Sequence, residues 1–491
     1  MSDENINLII MKTIVLVILV VQFAIGGLAQ HSVRWNDSLR RPAFKFQRFT
    51  DQKWDTTSLA KPGDLKWFQD ARFGMFVHLG LSSLKGVELG WGRQTHKFPD
   101  IGMGTVPDSV YDNLYKDFKL ENFNPSAFVK IAKDAGVKYI VIITKHHDGF
   151  HMWNTSCSDY NIIRTPFGND YLKEFADAVH NAGLKLGFYY SQRDWYHPDY
   201  EPIDRATQKT LGTNRETDML SVPLDQKVNV TEKEKRYIHY MYDCVTELLT
   251  QYGKVDVLWF DAAWWGGMFT EEMWDSEGLY NLARHLQPGI IINNRASIPG
   301  DFDTPEQYVG DFQDSRPWES CMTLTPPSWG WKPNQKVSSA KDCIFSLAST
   351  AGGDGNLLMN VGPMSDGSIE PEQVKVLEEI GEWLRKNGTS IYETRGGIYL
   401  PTKNLTSTYR GAKLFLHLLD IKGEKLVLQA IKSRTIIKAY FLINGDAVEC
   451  KKVGGSYEFK LPKELPDQLD TVLVVEFDKI LDGIKPIAPL L

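Results

Sequence analysis

The chain has 491 residues, of which 42% are hydrophobic, 24% charged and 12% aromatic, and carries a formal net charge of −7. That length holds a barrel-sized domain and a smaller one, and the acidic balance argues against nucleic acid and anionic membrane surfaces as partners. Five dispersed cysteines without a C-x-x-C pair exclude the usual zinc frameworks and a dense disulfide scaffold. An aromatic surplus of 14 Trp, 20 Tyr and 24 Phe suits a packed core. It also suits flat platforms of the kind that meet the C–H faces of sugars.

Met11-Lys12, the apolar run 13–25 and the small residues that follow have the three regions of a signal peptide. Residues 1–29 are therefore expected to be a leader. The destination would be a periplasm or the exterior, or a lysosome in a eukaryotic source. The apolar run is short for a membrane span, so none is expected after its removal. Residues 30–63 read as a polar lead-in.

From residue 64 to about 395 helices and strands alternate. A short helix at 64–70 delivers the chain to a strand at 72–78. Asn124 caps a helix with Pro125 at its first position, and Gly136 ends it. A strand from Val137 to Thr144 runs into Lys145-His146-His147-Asp148-Gly149-Phe150. A helical stripe (Leu172, Phe175, Ala176, Val179) ends at Gly183, and the next strand closes on Tyr189-Tyr190-Ser191. Thr231-Glu232-Lys233-Glu234 is a capping box that opens a long helix closed by Gly253. The strand Val255 to Asp261 follows directly. Further strands are expected at 289–293, around 308–312, at 318–324 and at 356–361, about eight in all.

Such alternation implies a parallel sheet, expected to be an irregular (β/α)8 barrel, with a doubly wound open sheet as the alternative. No glycine-rich dinucleotide fingerprint supports the alternative. From residue 396 short alternating strands at 413–419, 425–429, 436–443, 456–461 and 471–477 read as an antiparallel β-sandwich.

Several strands end on chemistry. Asp261 closes an apolar run, and Trp259 two residues earlier shares its face. His78, His146-His147 and Tyr189-Tyr190 close other strands. Catalytic groups of barrel enzymes sit at such strand ends. Adjacent histidines on a strand point to opposite faces, and no third ligand converges with them, so a metal is not expected. Imidazoles at a barrel mouth can donate to and accept from a polyhydroxylated ligand. A glycosidase needs a second carboxyl group, because attack and leaving-group protonation require opposite protonation states. The candidates are Glu306, Glu319 and Glu88.

Phe73-Gly74-Met75-Phe76-Val77-His78, Lys145-His146-His147-Asp148-Gly149-Phe150, Leu258-Trp259-Phe260-Asp261 and Gly355-Asn356-Leu357-Leu358-Met359-Asn360-Val361-Gly362-Pro363 occur here in one order. In that order they resemble the retaining α-L-fucosidases of glycoside hydrolase family 29. The resemblance implies an exo-acting enzyme that hydrolyses terminal fucosyl linkages of glycans through a covalent fucosyl-enzyme, without cofactor or metal. It implies Asp261 as nucleophile, and His78, His146, His147, Tyr190 and Trp259 as pocket-lining residues, with Tyr189 able to take the place of Tyr190. Glu306, in Thr304-Pro305-Glu306, is the favoured acid/base and Glu319, in Trp318-Glu319-Ser320-Cys321, the alternative. Glu88 and Trp91 are candidate substrate contacts, in a Glu-Leu-Gly-Trp-Gly-Arg loop that departs from the family's commoner Glu-Trp form. A catalytically inactive fucose-binding protein and a metal-dependent barrel hydrolase are the competing functions.

Overall fold

The computed structural model describes residues 59–93, 104–200, 231–261 and 274–489, with the backbone alone of 203–204 and 209–210. The expected leader, 1–29, and most of the lead-in lie outside the described residues. Among the described residues no helix is long and apolar enough to cross a membrane.

The fold is mixed α/β. Seven parallel strands make one curled sheet: β1 (Phe73–Val77), β2 (Tyr139–Lys145), β3 (Lys185–Ser191), β4 (Val257–Asp261), β5 (Ile291–Ile292), β6 (Glu319–Thr323) and β7 (Asn356–Val361). Their order is β5-β4-β3-β2-β1-β7-β6. That is the chain order read around a ring, broken between β5 and β6, whereas a doubly wound sheet reverses its order at an inner strand. Single parallel bridges cross the break: Asn293 pairs with Phe302, Asp303 with Trp318, and Glu306 with Cys321. The strand expected around 308–312 is absent, and the segment 302–306 supplies the pairing instead. It forms bridges rather than a regular strand because Pro305 has no N–H to give. Its carbonyl still accepts from Cys321 N at 2.9 Å.

Helices α1 (Pro62–Ala71), α2 (Pro125–Asp134), α3 (Tyr171–Asn181), α4 (Glu232–Gln251), α5 (Ser276–Leu286), α6 (Ala340–Gly352) and α7 (Pro371–Asn387) alternate with the strands. The starts of α2, α3, α4 and α6 are each capped by a side chain. Asn124 Oδ1 accepts from Ala127 N at 3.0 Å, Asp170 Oδ1 from Lys173 N at 3.0 Å, and Thr231 Oγ1 from Glu234 N at 3.1 Å. Gly136, at φ +93°, ends the turn after α2 in a conformation other residues resist.

Alternate strand residues divide into two apolar clusters. Tyr139, Val141, Ile143, Tyr189 and Trp259 fill the inside of the curl. Ile140, Ile142, Phe188, Leu258 and Phe260 face the helices. Inside, β1 sets Gly74 beside Tyr139. A Cβ at Gly74 would sit 2.3 Å from that phenol ring, so the missing side chain is the space in which Tyr139 lies.

After α7 the strands among the described residues pair antiparallel: β8 (Arg395–Gly396), β9 (Leu405–Arg410), β10 (Lys413–Leu418), β11 (Lys425–Gln429), β12 (Ile436–Phe441), β13 (Cys450–Val453), β14 (Ser456–Lys460) and β15 (Thr471–Phe477). They make a sheet ordered β8-β9-β10-β15-β12 and a sheet ordered β11-β14-β13. Leu416, Phe441 and Leu473 of the first share one apolar cluster with Leu426, Leu428 and Phe459 of the second. Phe415, Val472 and Val474 point the other way, into the cluster beneath the helices. The strands β9 and β13 escape sequence reading because Leu405-Thr406-Ser407-Thr408-Tyr409-Arg410 and Cys450-Lys451-Lys452-Val453 lack apolar alternation.

Gly74→Ala is expected to drive a methyl group into the Tyr139 ring and to destabilise the protein by about 1–3 kcal/mol, the usual cost of overpacking. Chemical denaturation of the intact chain measures it, and an unchanged midpoint would contradict this packing.

Candidate active site

The geometry starts from β4. Because parity alternates along it, Val257, Trp259 and Asp261 face inward while Leu258 and Phe260 face the helices. Asp261 is its last residue and is 8% exposed. Tyr189 Oη donates to Asp261 Oδ2 at 2.8 Å, Arg295 Nη1 lies 3.2 Å from Oδ1, and His147 Nε2 lies 3.8 Å from Oδ2. Burial raises the Asp261 pKa, the Glu306 charge pushes the same way, and Arg295 and Tyr189 oppose them without cancelling the rise.

Arg295 is shared between two acids. Its Nη2 forms an ion pair with Glu306 Oε2 at 2.8 Å, while Nη1 faces Asp261. Nε donates to Thr304 Oγ1 at 2.8 Å, and the guanidinium lies 4.8 Å over the Trp259 ring. Burial works against its charge, but Glu306 and Asp261 more than offset this, and its pKa is raised. The Glu306 side chain is 28% exposed, at the open end of the curl.

Three imidazoles line the same end. His78 Nδ1 meets Asn360 Oδ1 at 2.5 Å, and Asn360 Nδ2 donates to Trp329 O at 2.7 Å. The amide is thereby oriented, so His78 carries its proton on Nδ1 and leaves Nε2 as an acceptor. Burial pushes the His78 pKa down to about 3 and His146 well below its usual range, with His78 and Lys145 adding to the effect on His146. Both rings are neutral near neutral pH. His147 Nδ1 donates to Ser191 Oγ at 2.6 Å, since that hydroxyl itself donates to Arg193 O at 3.0 Å. The strand β2 ends at Lys145 and a turn follows, so His146 and His147 stand side by side with ring centroids 4.0 Å apart. Strand parity would have set them on opposite faces; the turn overrides it.

The loop after β1 closes over these rings. Gly90, at φ +70°, runs so close to His146 that a Cβ would sit 2.6 Å from Nδ1. Trp91 packs edge-on to His147 at 5.5 Å and to Trp195 at 5.1 Å. Glu88 is buried, accepts from Trp329 N at 2.8 Å and Gly330 N at 3.1 Å, and pairs with Lys332 at 3.2 Å. Those bonds hold the loop bearing Trp329, whose ring lies 5.0 Å from His78.

A family profile described as alpha-L-fucosidase matches residues 43–389. The chain belongs to the α-L-fucosidase family. It is accordingly an enzyme of glycoside hydrolase family 29. It is 29% identical to the plasma alpha-L-fucosidase of Homo sapiens over 381 residues, 72% of this chain and 74% of that one. It is also 29% identical to a putative alpha-L-fucosidase of Caenorhabditis elegans over 355 residues, 68% of this chain and 67% of that one. Among solved structures it resembles alpha-L-fucosidase isoenzyme 1 from Paenibacillus thiaminolyticus, with TM-score 0.73 and 32% identity, covering 85% of this chain and 99% of that one. It also resembles the Thermotoga maritima alpha-fucosidase in complex with a mechanism based inhibitor, with TM-score 0.66 and 27% identity, covering 84% and 96%.

In this family member Asp261, Glu306, His78, His146, His147, Trp259 and Trp91 gather at one end of the sheet. Tyr190, expected in the pocket, does not. Register pairs Tyr189 with Trp259 and Ser191 with Asp261, so Tyr189 and Ser191 face inward. Tyr190 lies in the helix-side cluster with the Lys145 ammonium 4.8 Å over its ring. Sequence alone could not choose, because a strand buried on both faces shows no alternation. Glu319 is also placed away from the mouth: it is the first residue of β6, 0% exposed, and accepts from Trp259 Nε1 at 3.1 Å and from Tyr139 Oη. Burial pushes its pKa up to about 7. Arg295 and Trp329 were not anticipated. The signal for Arg295 was faint, a cation three residues beyond a two-residue strand. Among the described residues no group of three His, Cys, Asp or Glu side chains converges as a metal site would require, and all five cysteines are thiols.

Tyr189→Phe is expected to lower kcat/KM about ten- to a hundredfold, the worth of a hydrogen bond to a charged group. Tyr190→Phe should change it less than about twofold, since only a helix-side hydroxyl is removed. Because His146 is neutral throughout the working range, His146→Gln should lower kcat/KM about tenfold without altering the shape of its pH profile. Steady-state kinetics on an aryl fucoside across pH measure all three.

Proposed function

We propose that the chain is an exo-acting α-L-fucosidase that removes terminal fucose from glycans with retention, through a covalent fucosyl-enzyme on Asp261. The observation that carries this reading is the Arg295 guanidinium shared by Asp261 and Glu306 at the mouth of the sheet. Two carboxylates on one guanidinium are neighbours, which favours the short separation of about 5–5.5 Å used by retaining pairs over the wider gap that admits a water. Asp261, its oxygens held by Tyr189 and Arg295, attacks the anomeric carbon. Glu306, partly exposed to solvent, protonates the departing oxygen and then takes a proton from the attacking water. The neutral His78 and His146 present ring nitrogens to sugar hydroxyls, and Trp91 and Trp329 supply apolar walls.

Glu306 is preferred to Glu319 as acid/base because a leaving group must reach it, and Glu319 has no exposed surface. The sheet reads as an irregular (β/α)8 barrel over residues 64–395, with 302–306 in the eighth strand position. The residues from 396 onward read as a β-sandwich whose two sheets share one core. The N-terminal sequence supports export of the mature chain.

Asp261→Ala should reduce fucose release from an aryl fucoside by more than about a thousandfold while the far-ultraviolet circular dichroism stays unchanged. Near-normal turnover would refute the reading. Glu306→Ala should retain activity on fucosides with good leaving groups and regain it with azide. Arg295→Met removes the cation that holds the Asp261 pKa down, so that pKa rises further. The acidic limb of kcat/KM should then move to higher pH, as a titration of rate against pH would read.

A further inference from the structure

A buried carboxyl lies under the nucleophile's neighbours and takes no part in the displacement. Glu319 opens β6 at the closed end of the curl, and both of its oxygens are occupied: Oε1 by the Trp259 indole N–H at 3.1 Å, Oε2 by the Tyr139 hydroxyl. An apolar side chain would fill this interior at lower desolvation cost. What the carboxyl adds is a fixed direction for the two rings above it.

Trp259 is the ring on which the reacting groups rest. Its plane stacks on Tyr189 with centroids 5.7 Å apart and an angle of 22°, and Arg295 lies 4.8 Å over its face. Tyr189 and Arg295 are both bonded to the Asp261 carboxylate. The far side of Glu319 is anchored as well, because Tyr139 is held in the space left by Gly74. We propose that Glu319 is a positioning residue of the reaction: by holding the Trp259 indole it sets Tyr189 and Arg295 on the nucleophile. The inference rests on Asp261 as that nucleophile.

Both donors around Glu319 favour its ionised form, and a proton on either oxygen would turn one of the two hydrogen bonds into a clash of donors. The groups that face it are Tyr139 from β2, Trp259 from β4, Cys321 from β6, Asn356 from β7 and the Arg295 cation beyond β5. Its state therefore bears on a rate measured near neutrality, where it has a pKa of about 7.

The test is a double-mutant cycle of Glu319→Gln and Trp259→Phe in the full chain, with kcat and KM measured on aryl fucosides of graded leaving-group ability. Each single change is expected to lower kcat about tenfold or more with KM within about threefold, equally for all leaving groups and without rescue by azide. The double variant should be no slower than the slower single one. The pH profile of Glu319→Gln should also be flatter between about pH 6 and 8. Multiplying effects would overturn the proposal, as would unchanged kcat with only a lowered melting temperature. Azide rescue or a steep leaving-group dependence would instead make Glu319 the acid. Should Glu319→Gln fail to fold, Trp259→Phe decides by itself, because it removes the N–H and keeps an aromatic ring; normal kcat there overturns the proposal. If Asp261→Ala stays active, the nucleophile is wrong, and that result is independent of the cycle.

Discussion

Two carboxylates held side by side repel each other, and a cation shared between them relieves that repulsion. Arg295 is that cation. It faces Asp261 at 3.2 Å and Glu306 at 2.8 Å. Thr304 receives the guanidinium's Nε and Trp259 lies under its face. Thr304 and Glu306 both belong to the segment 302–306, whose bridges cross the break in the sheet. The irregular closure of the sheet and the placing of one carboxylate are therefore a single structural event.

Below that ion triad a column of aromatic rings runs through the interior, with aliphatic residues such as Val141 and Ile143 packed around it. Gly74 admits Tyr139, Tyr139 and Trp259 meet on Glu319, and Trp259 stacks beneath Tyr189. Rings with few rotatable bonds transmit position with little loss, because interiors are close-packed and each ring is fixed by its neighbours. If Asp261 is the nucleophile, as proposed, one held this way needs little reorganisation when charge moves in the transition state.

The rim obeys a different logic. His78 and His146 are buried and neutral, so they recognise by hydrogen bonds rather than by charge. Glu88 is turned to the protein, where it grips the loop that carries Trp329. All three are buried, and it is the protein partners of Glu88 that make it a brace of the wall.

Much of this was legible in the sequence. The helix–strand alternation, the capping residues and the glycine stops follow from local chemistry, and they predicted elements within a few residues of those observed. The four motifs identified the family, because a motif carries its own context, and the proposed role of Asp261 starts from them. Tertiary structure decided the rest. Tyr189 rather than Tyr190 faces inward because register with β4 selects the face, and a strand apolar on both sides gives no local sign of it. His146 and His147 face one way because the strand ends at Lys145. Glu306 and Glu319 are both glutamates beside a Trp or a Pro in the chain. Only the path of 302–306 across the break, and the start of β6 at the closed end, separate an acid at the mouth from one beneath the floor. Arg295 becomes visible only when three distant segments meet, since an ion pair between separate strands leaves no periodic trace in the chain.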